Sequence, residues 1–248
     1  MTSAAGTGRH QSARGTRDAA AGRGLRADAL RNRERIAEAA REAFVRFGPE
    51  APLDEIARDA EVGNATLYRH FPDRAALIRH VVTSVTGRIA DRAEALTAEP
   101  DTFDALRRFA HDAVEERIGA LCPLLTDHID HIDHIDPDDP AVRTARERLE
   151  AATEHLMDRA RQAGALRGDV GVGDLMVALS RLTRPLPGTS CPDMRRFDHR
   201  HLEIFLDGLR APAGTSLPGR AATFEEVRGT SCDRLRDTVP HRSARSTP

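Results

Sequence analysis

The 248-residue chain has no lysine, no tryptophan and a single tyrosine, Tyr68. Every basic side chain other than histidine is therefore an arginine, whose planar guanidinium grips carboxylates and phosphates bidentately. Aromatic residues make up 4% of the chain, which suits Ala/Leu/Arg-rich helices better than a β-sandwich. The three cysteines, Cys122, Cys191 and Cys232, are odd in number and widely spaced. They build neither a disulfide framework nor a zinc finger, and a reducing, cytoplasmic compartment fits. No run is apolar enough to span a bilayer, so no membrane partner is expected. The first 25 residues carry arginines without a hydrophobic segment, unlike a secretory signal. Enzyme signatures are missing too: no His-Glu-x-x-His, no phosphate-cradling glycine loop, no nucleophile elbow. No catalytic residue, metal ligand set or cofactor is assigned, and the chain is not expected to be an enzyme.

What is present centres on Val62-Gly63-Asn64-Ala65-Thr66-Leu67-Tyr68-Arg69-His70-Phe71. Upstream, Leu53 to Ala60 reads as a short helix with Leu53, Ile56 and Ala60 on one side. Two short helices joined at Glu61-Val62-Gly63 make a helix-turn-helix whose second helix faces a DNA groove. Val62 and Leu67 pin the two helices together. Gly63 is expected to supply the sharp turn, and Asn64 to cap the second helix. Asn64, Ala65 and Thr66 lie at the helix end presented to base edges, while Tyr68, Arg69 and His70 offer donors to phosphates. An ordinary surface helix is the bland alternative, and the flanks argue against it. A long helix opens at Arg33 and places Ile36, Ala40, Ala43, Phe44 and Phe47 on one face, until Gly48-Pro49 stops it. Another begins at Arg74, with Leu77, Val81 and Val85 in register.

With these flanks, residues 31 to 80 resemble the DNA-binding domain of the TetR family of bacterial transcription regulators. The resemblance rests on Arg35-Ile36, Ala39-Ala40, Phe44, Gly48, Asp54-Glu55-Ile56-Ala57, Val62-Gly63, Thr66 to Phe71, Pro72-Asp73-Arg74 and Leu77. It implies that Thr66, Tyr68, His70 and Arg74 touch phosphates and that Asn64 and Ala65 lie near the bases. Arg33 is added as a further candidate contact. One departure is visible: Ala51-Pro52-Leu53 lacks the threonine that the family often places before the second helix, which puts one backbone contact in doubt.

The expected organisation follows. Residues 1–28, rich in Ala, Gly, Ser and Arg, read as a disordered basic arm. Residues 29–80 form a three-helix head, 81–210 a larger helical regulatory and dimerisation domain, and 211–248 a loose tail. The fold class is all-α. Net charge is −2, and the head's nine arginines are matched by nine acids, so DNA affinity has to come from charge placement. The arm adds Arg9, Arg14, Arg17, Arg23 and Arg26 against Asp18; it is either a solvated tail or a reach toward phosphates.

In the larger domain, 174–182 and 196–209 read as the last two long helices. The resemblance implies that they pair with their copies in a homodimer; burial within one subunit is the other reading. It also implies a chamber for a small-molecule effector of unknown identity. Candidate lining residues are Phe103, Phe109, His111, Leu121, Cys122, Leu125, His155 and Met176, each of which serves equally well as plain core. The repeat Asp127-His128-Ile129-Asp130-His131-Ile132-Asp133-His134-Ile135-Asp136 places histidines at i and i+3. That spacing suits either a solvated helix with Ile129, Ile132 and Ile135 buried, or a zinc or nickel site. The leading expectation is a homodimeric repressor released from a palindromic operator by an effector. The alternative is a metal-responsive repressor or metal-binding helical protein using the repeat, with a purely architectural DNA-binding protein as a third option.

Overall fold

The computed structural model describes residues 10–117, 139–183 and 195–229. Leu121, Cys122, Leu125, the 127–136 repeat, Cys191 and Cys232 lie outside the described residues. The described chain is all-α as expected, with one isolated antiparallel bridge, Leu166 to Arg210, and no strand. It divides into two compact units, the first running to Val81 and the second taking up at Val82.

The first unit contains α1 (His10–Phe47), α2 (Leu53–Asp59), α3 (Asn64–His70) and the opening of α4 (Arg74–Leu96). Helix α1 begins at His10, far upstream of the boundary that composition suggested. The Gly and Ser content pointed to disorder, but the stretch from 10 to 47 holds no proline and is dominated by Ala and Arg, both strong helix formers. Ile36, Ala40, Ala43 and Phe44 are buried as the spacing predicts. Phe47, assigned to the same face, is 49% exposed and lies under the Arg46 guanidinium, 4.9 Å from the ring centroid. It is the last helical residue, and Gly48, at φ 74°, turns the chain away from the core there.

The second unit holds the rest of α4, then α5 (Thr102–Glu115), α6 (Pro140–Gln162), α7 (Val172–Leu182), α8 (Arg195–Leu209) and α9 (Phe224–Gly229). Asp101 caps α5 through the N–H groups of Phe103 and Asp104, and Asp139 caps α6 ahead of Pro140. Phe103, Leu106, Phe109, Ala110 and Ala113 form one buried stripe on α5, which packs on α6, α7 and α8. Leu175 and Leu179 of α7, with Leu202, Leu206 and Leu209 of α8, complete that core.

Residues 211–229 are not the loose tail that their composition suggests. They strap across the turn before α7 through backbone groups. Arg167 donates to the Thr215 carbonyl at 2.6 Å, and Asp169 accepts from the Leu217 N–H at 3.1 Å. Asp174 accepts from the Ala222 N–H at 3.1 Å, while the Gly173 N–H donates to the Ala222 carbonyl at 2.9 Å. A Cβ on Gly173 would stand 2.4 Å from the Thr223 oxygen, so only glycine admits this approach. Such ties need few apolar side chains, and hydrophobic patterning gives no sign of them.

Candidate nucleic-acid interface

Helix α2 ends in a backbone motif that fixes the direction of α3. The Glu61 N–H donates to the Arg58 carbonyl and the Val62 N–H to the Ala57 carbonyl, each at 2.9 Å. This double closure requires the residue between to adopt the left-handed conformation, and that residue is Glu61, at φ 52°. The turn was expected at Gly63, which instead has φ −76° and ψ 151°, an extended geometry open to any residue. Gly63 also takes the N-cap position assigned to Asn64, and no side chain caps α3. Asn64 is the first helical residue, and its Nδ2 donates to Asp54 Oδ1 at 2.7 Å. Without a glycine at 61, the sequence carried no sign of where the left-handed residue falls.

From this turn, α3 buries Leu67 and is followed by the buried Phe71. Asn64, Ala65, Tyr68 and Arg69 are exposed, and Thr66 and His70 are half-buried. Positions i, i+1, i+4 and i+5 share one side of a helix, so the exposed four present a continuous polar face. Tyr68, 49% exposed, is the largest side chain on it. Among the described residues Arg69 makes no ion pair, leaving its fork open to an anion. Pro52 takes the N-cap position of α2 without a side-chain cap, so the capping hydroxyl that the family often places there is absent.

Two candidate DNA contacts also make hydrogen bonds inside the head. Arg33 Nη1 donates to the His70 carbonyl at 3.0 Å, and its guanidinium lies 4.4 Å from the centre of the Phe71 ring. Arg74 Nη1 donates to the carbonyls of Pro49 and Ala51, at 2.7 and 2.6 Å. The last carbonyls of α3 and those of the 49–51 loop lack helical partners, and these arginines satisfy them. Spacing along the chain shows a charge but not the carbonyl it answers. His80 lies beside Phe71, with ring centroids 5.2 Å apart. Burial, reinforced by the charge of Arg33, holds its imidazole below the ordinary range, favouring the neutral form.

Of the candidate chamber residues in the larger unit, Phe103, Phe109 and Met176 are buried and His111 is half-buried. His155 is exposed on α6 and does not join them; it falls between the inward positions Thr153 and Leu156. Arg210 lies 4.1 Å over the Phe103 ring. Arg159 Nη2 donates to the Glu99 carbonyl at 2.8 Å, while its Nη1 is buried without a partner among the described residues. A cluster the sequence reading missed joins His111 and Glu115 of α5 to His199 and Glu203 of α8. The overlooked signal is a histidine followed four residues later by a glutamate on each helix, which puts both on one face. Among the described residues no group of three or more His, Cys, Asp or Glu side chains is placed to hold a metal ion.

Comparison with known proteins places both units. Residues 36–81 match the family described as bacterial regulatory proteins, tetR family. Residues 99–211 match the C-terminal domain described as transcriptional regulator SbtR-like. A TetR transcriptional regulator from Streptomyces coelicolor is 32% identical, with a TM-score of 0.51 over 73% of this chain and 99% of that one. A TetR transcription regulatory protein from Mycobacterium vanbaalenii is 33% identical, with a TM-score of 0.52 over 75% of this chain and 99% of that one. An HTH-type transcriptional regulator of Staphylococcus aureus is 41% identical over 59 residues, which span 23% of this chain and 32% of that protein.

Proposed function

This chain belongs to the TetR family of bacterial transcription regulators, DNA-binding helix-turn-helix proteins, and we propose that it acts as a homodimeric repressor. In this reading it leaves a palindromic operator when a small-molecule effector binds the larger unit. The observation that carries the DNA-reading part is the outward face of α3, where Asn64, Ala65, Tyr68 and Arg69 stand exposed above the buried Leu67. Tyr68 and Arg69, with the half-buried Thr66 and His70, supply donors for phosphates. Asn64 is the base reader. One of its two amide hydrogens is held by Asp54, which leaves the other donor and the carbonyl oxygen to read a base edge. Arg33 and Arg74 brace the head through Nη1, and their remaining guanidinium donors are available to DNA.

One recognition helix gives too small a contact for strong site choice, whereas two heads about 34 Å apart read successive major grooves. The outer faces of α7 and α8 support a second copy: Val177 is 40% exposed and Ile204 60% exposed, on helices otherwise well packed. Effector binding is placed among Phe103, Phe109, His111 and Met176. The Arg159 Nη1, without a partner among the described residues, favours an effector with an acceptor oxygen. Effector and operator would then be coupled through the spacing of the two heads. The metal-responsive alternative rests on the 127–136 repeat alone, which lies outside the described residues. A cytoplasmic location belongs to the same proposal; no described helix is long and apolar enough to cross a membrane.

The test is selection of bound sequences from fragmented genomic DNA by the purified protein, at stated salt. Recovery of one palindrome is expected, with two chains per site. Binding without sequence preference and with a steep salt dependence would identify an architectural protein instead.

A further inference from the structure

Four side chains outside the DNA-binding face run in a line between α5 and α8. Glu203 Oε1 lies 2.6 Å from His111 Nε2, His111 Nδ1 lies 2.8 Å from His199 Nδ1, and His199 Nε2 lies 2.7 Å from Glu115 Oε1. The two rings are within 13° of parallel and their centroids are 5.0 Å apart. With the nitrogens at 2.8 Å, that separation leaves room for two ring radii end to end, so the rings meet edge to edge along the N···N line.

Each of these three contacts requires one proton. A carboxylate only accepts, so both Nε2 atoms must carry hydrogen, and the central contact needs a hydrogen on one Nδ1. Two neutral histidines supply two protons, and the chain is complete only with three. We propose that His111 and His199 form a one-proton clasp, which ties α5 to α8 while a single excess proton is shared between the two rings. Remove that proton and one of the three contacts is lost, two lone pairs facing each other if it is the central one. Add another and two N–H groups face each other.

The surrounding charges suit one excess positive charge. Glu115 on α5 and Glu203 on α8 bracket the pair, and Arg107 on α5 donates to Glu203 at 2.8 Å while meeting Asp104 at 3.4 Å. The Arg107 hydrogen bond, with a smaller contribution from His111, holds the Glu203 carboxyl below the usual range, keeping it an acceptor. From α6 and α7, no charged group of the described residues makes an ion pair or hydrogen bond with either ring. A cation at imidazole–metal distances of about 2.0–2.1 Å cannot lie on the line between nitrogens only 2.8 Å apart. A proton can.

The linkage follows from the proton count. The clasp holds one excess proton, so its contribution is lost both when that proton leaves and when a second is added. The experiment is ¹⁵N NMR of the histidine side chains in the full chain across that range, together with unfolding curves of wild type, His199→Gln and Glu115→Gln. The expected spectra show both rings titrating together, with both Nε2 atoms protonated throughout and one proton averaged over the two Nδ1 atoms. The wild-type unfolding constant is expected to pass through a minimum with pH, rising on either side by as much as about tenfold per pH unit. His199→Gln removes that dependence. Glu115→Gln, at an exposed position, keeps the fold and moves the minimum to lower pH. Independent titration of the two rings, an unchanged pH dependence in both variants, or displacement of the shared proton by stoichiometric zinc would each overturn the clasp. None of these readouts involves DNA, so a failed operator search leaves the test intact.

Discussion

In the head, Arg33 and Arg74 donate to the backbone carbonyls of His70, Pro49 and Ala51. In the larger unit, Arg88, Arg107 and Arg148 reach carboxylates that another segment supplies: Glu116, Glu203, and the pair Asp91 and Glu94. A carbonyl partner never titrates, and it fixes a loop in one position. A carboxylate partner can be protonated, and it links segments whose side chains remain free to rearrange. The head's two carbonyl braces hold its loops with α3's outer face left open, while the larger unit adds these carboxylate ties to carbonyl braces of its own, Arg159 to Glu99 and Arg167 to Thr215.

The largest test of the contrast is Arg74→Ala, which strips two carbonyls of their donor and should destabilise the head by about 2–3 kcal/mol. Tyr68 is the only tyrosine and there is no tryptophan, so its fluorescence reports head unfolding alone. The signal should shift to lower denaturant, and an unchanged midpoint would mean that the brace is ornamental. Gly173→Ala makes the opposite demand, since its Cβ would meet the Ala222 and Thr223 oxygens of the strap at 2.6 and 2.4 Å. It should cost about 1–3 kcal/mol, free the 211–229 strap for proteolysis and leave the Tyr68 transition in place.

A smaller effect of the other sign is expected at Glu61, a non-glycine residue at φ 52°. Glu61→Gly relieves that backbone and should stabilise the head by about 0.5–1 kcal/mol. The lost ion pair with Arg35, 2.7 Å long and largely exposed, offsets little of it. The smallest effect is the pH slope of the head. Because His80 is held below its ordinary value of 6.5, the unfolded chain takes up the proton more readily. Stability is present above 6.5 and falls as pH drops below it. Tyr68 fluorescence during acid titration should show head destabilisation beginning below 6.5, and His80→Asn should flatten it.

Much of the head was legible in the sequence because its signals are local. The buried spacing of Ile36, Ala40 and Phe44, the Leu67 pin and the stop at Gly48 all lie within a turn or two of what they determine. What was not legible there are partners remote in sequence: Arg33 answers a carbonyl 37 residues away and Arg74 one 25 residues away. The left-handed turn was misplaced because glutamate occupies it. In the larger unit, helices at 174–182 and 196–209 were readable from leucine spacing. The strap was not, since backbone hydrogen bonds leave no side-chain pattern. The histidine line spans 88 residues between its inner members, and only the repeated His-x-x-x-Glu spacing hinted at it.

The central claim is that the exposed face of α3 reads an operator, with Asn64 held by Asp54 as the base reader. Sequence selection with wild type, Asn64→Ala and Tyr68→Phe, side by side at one salt concentration, tests it most directly. The account predicts one palindrome for wild type, altered preference at a symmetric pair of positions for Asn64→Ala, and the same sequence bound more weakly for Tyr68→Phe. An identical preferred sequence with Asn64→Ala, at undiminished selectivity, would contradict it.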